Sequence, residues 1–229
     1  MRRPPRSDDF TLASLGFAIA VPLLYYGVQV VAAPFFPDFS VLGTTASELG
    51  SDRSARPWIL NAGAILTGIA ALVGSIGLHR ALRRLGAHPI VVWLTLLVVA
   101  GTGLSSVWAG IFPMPDPRHG GHPSLLVAML AVPFVLSFAL WRLGVSRAIK
   151  AYLVATIVLL LVMFPIMMRM IDIDMHSYGG LLQRIFALTV FVPIGVGAYE
   201  LARRIGAVPL GIGGPHKVGA AALPVDESH

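Results

Sequence analysis

Six stretches of this chain stay apolar for about as long as a helix needs to cross a membrane, and no other feature constrains the fold as tightly. They run at about Phe10 to Ala33, Trp58 to Leu78, Pro89 to Ile111, Pro123 to Trp141, Ala151 to Met170 and Leu181 to Ala202. A hydrocarbon core of about 30 Å takes about 20 helical residues. Backbone N–H and C=O groups find no water there, so each stretch has to satisfy them internally, as a helix does. The expected fold is all-α: a polytopic transmembrane bundle of six membrane-spanning helices over residues 10–205. A short arm at 1–9 precedes it and a disordered tail at 206–229 follows. Composition agrees, since 56% of the 229 residues are hydrophobic and 12% charged, about half the charge of a soluble domain.

Met1-Arg2-Arg3-Pro4-Pro5-Arg6 ahead of an apolar run imitates a signal peptide. The run continues uncharged to Pro37, too long for a cleaved leader, so an uncleaved first helix is expected. Six spans put both termini on one side. That side collects Arg2, Arg3, Arg6, Arg80, Arg83, Arg84, Arg142, Arg147, Lys150, Arg203, Arg204 and Lys217, and the other only Arg53, Arg56, Arg118, Arg169 and Arg184. The bias predicts cytoplasmic N- and C-termini in a multi-pass protein of the cytoplasmic membrane. The net charge of +6 therefore reports topology, and the expected partners are membrane lipids, with no nucleic acid.

The sequence has no cysteine, which removes disulfides, thiolate metal sites and cysteine nucleophiles. His79 and His88 fall at the cytoplasmic ends and make no intramembrane haem pair. No acidic residue lies midway along a helix, against a carrier with a buried carboxylate relay. The even-numbered helices end alike, in Arg83-Arg84-Leu85-Gly86, Arg142-Leu143-Gly144 and Arg203-Arg204-Ile205-Gly206. An internal repeat would explain this, but so would arginine at the interface and glycine as helix stop, the reading adopted here.

The mixed chemistry gathers on the outer side. In the longest connection, Pro34 to Pro57, Thr44 or Thr45 can cap a short helix stopped by Gly50, with Glu48 at the bundle mouth as base, cation ligand or plain cap. Asn61 and Gln29 are amides that do better facing the bundle than lipid, as interhelical glue or as ligands to a headgroup. Asp116, His119 and His122 are spaced so that they could bind a divalent ion, with His176 as a fourth ligand. The sequence requires no cofactor, and a histidine could equally act as acid or base without metal. Arg169, Asp172 and His176 would share a face if the fifth helix continued that far. Arg184, in the first turn of the sixth helix, would hold an anion or a carboxylate, or snorkel to the headgroups. Ser47, Ser105 and Ser106 have no neighbouring base in the sequence, so no nucleophile stands out.

Ser47-Glu48-Leu49-Gly50, Asn61-Ala62-Gly63 with Gly68, Gly110-Ile111-Phe112-Pro113 with Asp116 and a following histidine, and Gly180-Leu181-Leu182-Gln183-Arg184-Ile185 occur in order. In these motifs the chain resembles an uncharacterised family of bacterial and archaeal membrane proteins, domain of unknown function 998. The resemblance implies six membrane helices and no established reaction, and where the family tends to show Glu-Arg this chain has Gln183-Arg184. The leading functional expectation is an outer polar pocket for an anionic lipid or lipid-linked substrate. Arg184 would clamp the anion, Glu48 and His122 would act as base and acid, and Asn61 and Asp116 would orient the substrate. The alternatives are a non-catalytic transport or structural component with a lid bridged by Glu48 and Arg184, and a metal-dependent hydrolase using Asp116, His119, His122 and His176.

Overall fold

The computed structural model describes residues 7–207, so the arm and tail expected at the two ends lie almost entirely outside it. Among the described residues there are six long helices and no strand: α1 (Ser7–Ala32), α2 (Pro57–Arg84), α3 (Pro89–Ile111), α4 (Pro123–Arg142), α5 (Arg147–Met167) and α6 (Met175–Ala207). All six are long and apolar enough to cross a membrane.

Helix starts follow the expected signals. Proline occupies the first turn of α2, α3 and α4, where its missing N–H costs nothing. Gly86 and Gly144, at φ of +76° and +68°, end α2 and α4 in the left-handed conformation that glycine adopts without strain. Gly206 instead stays inside α6, so the third of the similar helix ends is not a stop at all. Two expectations need correcting. The fifth helix ends at Met167, so Arg169, Asp172 and His176 share no helix face. The sixth begins at Met175 because Asp174 accepts from the N–H groups of His176 and Ser177, at 3.0 and 3.2 Å, as an N-cap does. Arg184 therefore lies in the third turn.

The helices form a ring in chain order, with α6 packed on α1, α2, α4 and α5. The most apolar window of α6 is 67% buried, against 22–44% for the other five, so α6 is the inner post. Large apolar side chains such as Leu23, Val30, Leu97, Val127 and Leu161 face outward, as suits a hydrocarbon surround. Buried threonines turn their hydroxyls back to the carbonyl four residues earlier, Thr67 to Gly63, Thr95 to Val91 and Thr102 to Val98, each at 2.8 Å, which removes an unpaired polar group at no packing cost.

Small residues set the helix spacing, because lipid gives helices little hydrophobic reason to associate and close packing has to hold them. Gly74 and Gly77 of α2 lie against the backbone of Ala18 and Ser14-Leu15 in α1, while Gly68 meets the carbonyl of Gly103 in α3. Gly68→Ala would push a methyl into that carbonyl and should cost about 1–3 kcal/mol. Gly16→Ala, with nothing within 4 Å, should be neutral or slightly stabilising. Unfolding of both variants by denaturant in detergent checks the contrast.

Candidate functional site

The connection between α1 and α2 reaches across the bundle and is held on α6. The N–H groups of Gly180 and Leu181 donate to the carbonyls of Gly43 and Leu42, at 3.1 and 2.9 Å. Arg184 Nη1 donates to those of Val41 and Thr44, at 3.0 and 2.8 Å. Gly180 permits the approach, since any Cβ there would run into Thr44 O. Gln183 extends the seam, its Oε1 accepting from Ala46 N–H at 2.7 Å. The arginine is thus committed to loop carbonyls, although its Nη2 is buried without a partner.

Within the loop Thr45 and Glu48 satisfy each other. The carboxylate accepts from Thr45 N–H at 2.7 Å and Oγ1 at 2.8 Å, and Glu48 N–H donates to Thr45 Oγ1 at 3.2 Å. This reciprocal pair is a capping box, opening the short 3-10 turn Glu48–Gly50. The other Glu48 oxygen accepts from Arg53 at 3.1 Å. The ion pair expected between Glu48 and Arg184 in a bridged lid is not the one that forms: Arg53 is five residues away in the same loop, while Arg184 is taken by carbonyls.

The connection between α3 and α4 delivers a histidine to the same place. Asp116 takes Arg118 in a two-point ion pair at 3.0 and 2.7 Å, and Arg118 lies 4.1 Å over Phe112. Hydrogen bonds from the exposed guanidinium hold the Asp116 carboxyl down at about 2. The turn closed by His119 N–H on Asp116 O, at 2.9 Å, points the His119 ring inward. Its Nδ1 lies 2.8 Å from Phe112 O and its Nε2 3.0 Å from Ser47 Oγ. His122 faces away and caps α4, with Nδ1 accepting from Ser124 N–H at 3.2 Å.

Beneath these two connections is a cavity of about 230 Å³ to which all six helices contribute. Its polar lining is Gln29, Ser47, Asn61, Thr67, Ser105, Ser106, His119 and Gln183, with no carboxylate, lysine or arginine. Val28, Leu60, Met129, Met167, Phe186 and Phe191 supply apolar wall, and Tyr25 stacks on Phe191 at 4.3 Å. Asn61 Nδ2 donates to Gly50 O at 3.0 Å, tying α2 to the roof. Gln29 Nε2 donates to Tyr25 O at 2.9 Å, and its Oε1 is buried with no partner.

A family model described as "Protein of unknown function (DUF998)" matches residues 19–200. The chain belongs to the DUF998 family. No curated protein and no solved structure matches it. The DUF998 match takes in the whole cavity lining, from Tyr25 to Phe191.

Of the residues singled out in this DUF998 chain for chemistry, Gln29, Asn61 and His119 reach the cavity wall, whereas Glu48, Asp116, His122, His176 and Arg184 do not. Among the described residues no three His, Asp or Glu side chains come together to hold a metal ion. Of the two histidines of the HxxH spacing, His119 turns inward and His122 is a helix cap. Sequence reasoning set Ser47 aside for want of a base nearby, and its histidine partner lies 72 residues away, beyond the reach of any spacing rule.

Two outcomes follow. Arg184→Leu removes the charged donor shared by two loop carbonyls, so amide exchange across residues 40–56 should accelerate by about tenfold or more, with the helices unchanged. Hydrogen–deuterium exchange read by mass spectrometry checks this. Arg118→Ala should return the Asp116 carboxyl from about 2 toward the ordinary carboxylate range. The lowered native value means that the stabilisation is present above the unfolded value and is lost as pH falls through about 2. Carbon NMR titration of the labelled carboxyl reads the shift.

Proposed function

We propose that this protein binds a membrane lipid or lipid-linked molecule at the end of the bundle that carries the 33–56 and 112–122 connections. An uncharged hydrogen-bonding portion of the ligand enters the cavity. The observation that carries the reading is Gln29, a side chain of the cavity lining whose Oε1 is buried with no hydrogen-bond partner. A buried acceptor left unmade costs about 1–3 kcal/mol, and a side-chain rotation that turns it to the space lets an O–H or N–H of the ligand satisfy it. The volume corresponds to about eight waters at about 30 Å³ each. That is room for a glycerol backbone with its ester linkage, and not for a whole lipid.

A lining with no carboxylate, lysine or arginine supports the same choice. Water-poor surroundings make an unpaired charge costly, and Glu48 and Asp116 are engaged outside the cavity wall, with Arg53 and Arg118. An anionic headgroup then stays at the rim while the ester region inserts below it. The excess of Lys and Arg at the opposite end of the bundle supports an extracytoplasmic position for the cavity.

Gln29→Leu separates binding from folding. It deletes an orphan acceptor and conserves volume, so stability should be unchanged or slightly raised. Native mass spectrometry of the full chain released from phosphatidylglycerol nanodiscs should show retained phosphatidylglycerol on the wild type and at least tenfold less on the variant. Equal retention by both would reject the cavity as the binding site.

A further inference from the structure

We propose that Ser47 is a nucleophile activated by His119, and that the cavity performs acyl transfer or hydrolysis on a carboxylic ester of a lipid. The proposal rests on the lipid-binding reading for its substrate and on separate geometry for its chemistry. The carbonyl of Phe112 can only accept, so His119 Nδ1, 2.8 Å away, carries the proton. In the neutral ring Nε2 is then the lone-pair nitrogen, and it receives the Ser47 hydroxyl at 3.0 Å. Nucleophile, base and a third group that fixes the tautomer are the parts of an activated serine. Here a backbone carbonyl takes the orienting place usually held by a carboxylate.

A donor stands where negative charge would develop. Ala46 N–H can only donate, so the Gln183 oxygen faces it at 2.7 Å and the amide Nε2 is turned toward Ser47 Oγ, 3.4 Å away. That N–H is pre-positioned for the oxyanion of a tetrahedral intermediate. Ser47, His119 and Gln183 all line the cavity, beside the apolar walls Phe186 and Met129 that would flank an acyl chain.

Ser47 Oγ bonds to the ester carbonyl carbon as its proton passes to His119 Nε2, and the carbonyl oxygen becomes an oxyanion that accepts from Gln183. The bond from carbon to the alcohol oxygen then breaks, and the alcohol leaves with the proton from Nε2. Water, or the hydroxyl of a second lipid, attacks the acyl-Ser47 ester and gives its proton to Nε2. Ser47 recovers that proton, and a fatty acid or a new ester departs.

The test treats the purified full chain with an alkyl fluorophosphonate, which bonds to an activated serine oxygen and expels fluoride. One adduct is expected, mapped to Ser47. Ser47→Ala should give none, and His119→Gln should label about 10²–10⁴-fold more slowly while its thermal unfolding in detergent shows it folded. Should His119→Gln fail to fold, Gln183→Leu serves as the second variant, with hydrolysis of p-nitrophenyl octanoate expected to fall by about 10²-fold or more. An unlabelled wild type, an adduct on another residue, or an undiminished rate in folded His119→Gln overturns the proposal. Phosphatidylglycerol retention, measured on the wild type in the same preparations, tells the two readings apart. Retained lipid with no wild-type adduct rejects the nucleophile alone, and loss of both rejects the nucleophile and the binding cavity together.

Discussion

At this end of the bundle a connecting segment lies across α6, and its backbone carbonyls take their donors from that helix. Val41, Leu42, Gly43 and Thr44 find them on α6, through the N–H groups of Gly180 and Leu181 and through Arg184. Everything at the site hangs from this seam. It places Thr45 and Glu48 for their reciprocal cap, lowers Ala46 onto Gln183, and brings Ser47 over the cavity. The seam is possible because α6 is the inner post, packed on four neighbours, and because Gly180 leaves room for a backbone at the helix surface.

The charges at this end are spent on architecture. Glu48 and Arg53 stiffen one connection, Asp116 and Arg118 the other, and Arg184 joins the first to α6. Pairing them outside the cavity wall leaves a lining of amides, hydroxyls and one imidazole. In such a setting hydrogen bonds gain strength because water does not compete, and an orphan such as Gln29 Oε1 becomes conspicuous for the same reason. Amides and hydroxyls in an apolar frame suit the interfacial part of a lipid, where ester and hydroxyl groups meet hydrocarbon.

Much of this was legible in the residues. Helix number and approximate bounds followed from apolar length, because the hydrocarbon core imposes both, and α3 falls on Pro89–Ile111 as expected. The cap from Thr45 to Glu48 was legible too, since it is written within four residues. Legibility failed where a contact joins distant segments. Arg184 looked like an anion clamp because an arginine near membrane depth needs a negative partner, yet its Nη1 meets the carbonyls of Val41 and Thr44 from a segment 140 and more residues away. His119 and His122 are equivalent by spacing, and only the turn set by Asp116 and the start of α4 decides which faces inward.

The division between the two levels is physical. By itself the sequence determined what lipid demands of any chain: six helices, their approximate membrane spans, their stops at Gly86 and Gly144, and local caps. These depend on interactions within a few residues or on the solvent. Tertiary structure alone decided which polar groups share a cavity, because the hydrogen bond between Ser47 and His119 and that between Ala46 and Gln183 join segments 72 and 137 residues apart. Their meeting depends on how closely the glycines of α2 let α1 and α3 approach, and no pattern along the chain records that distance.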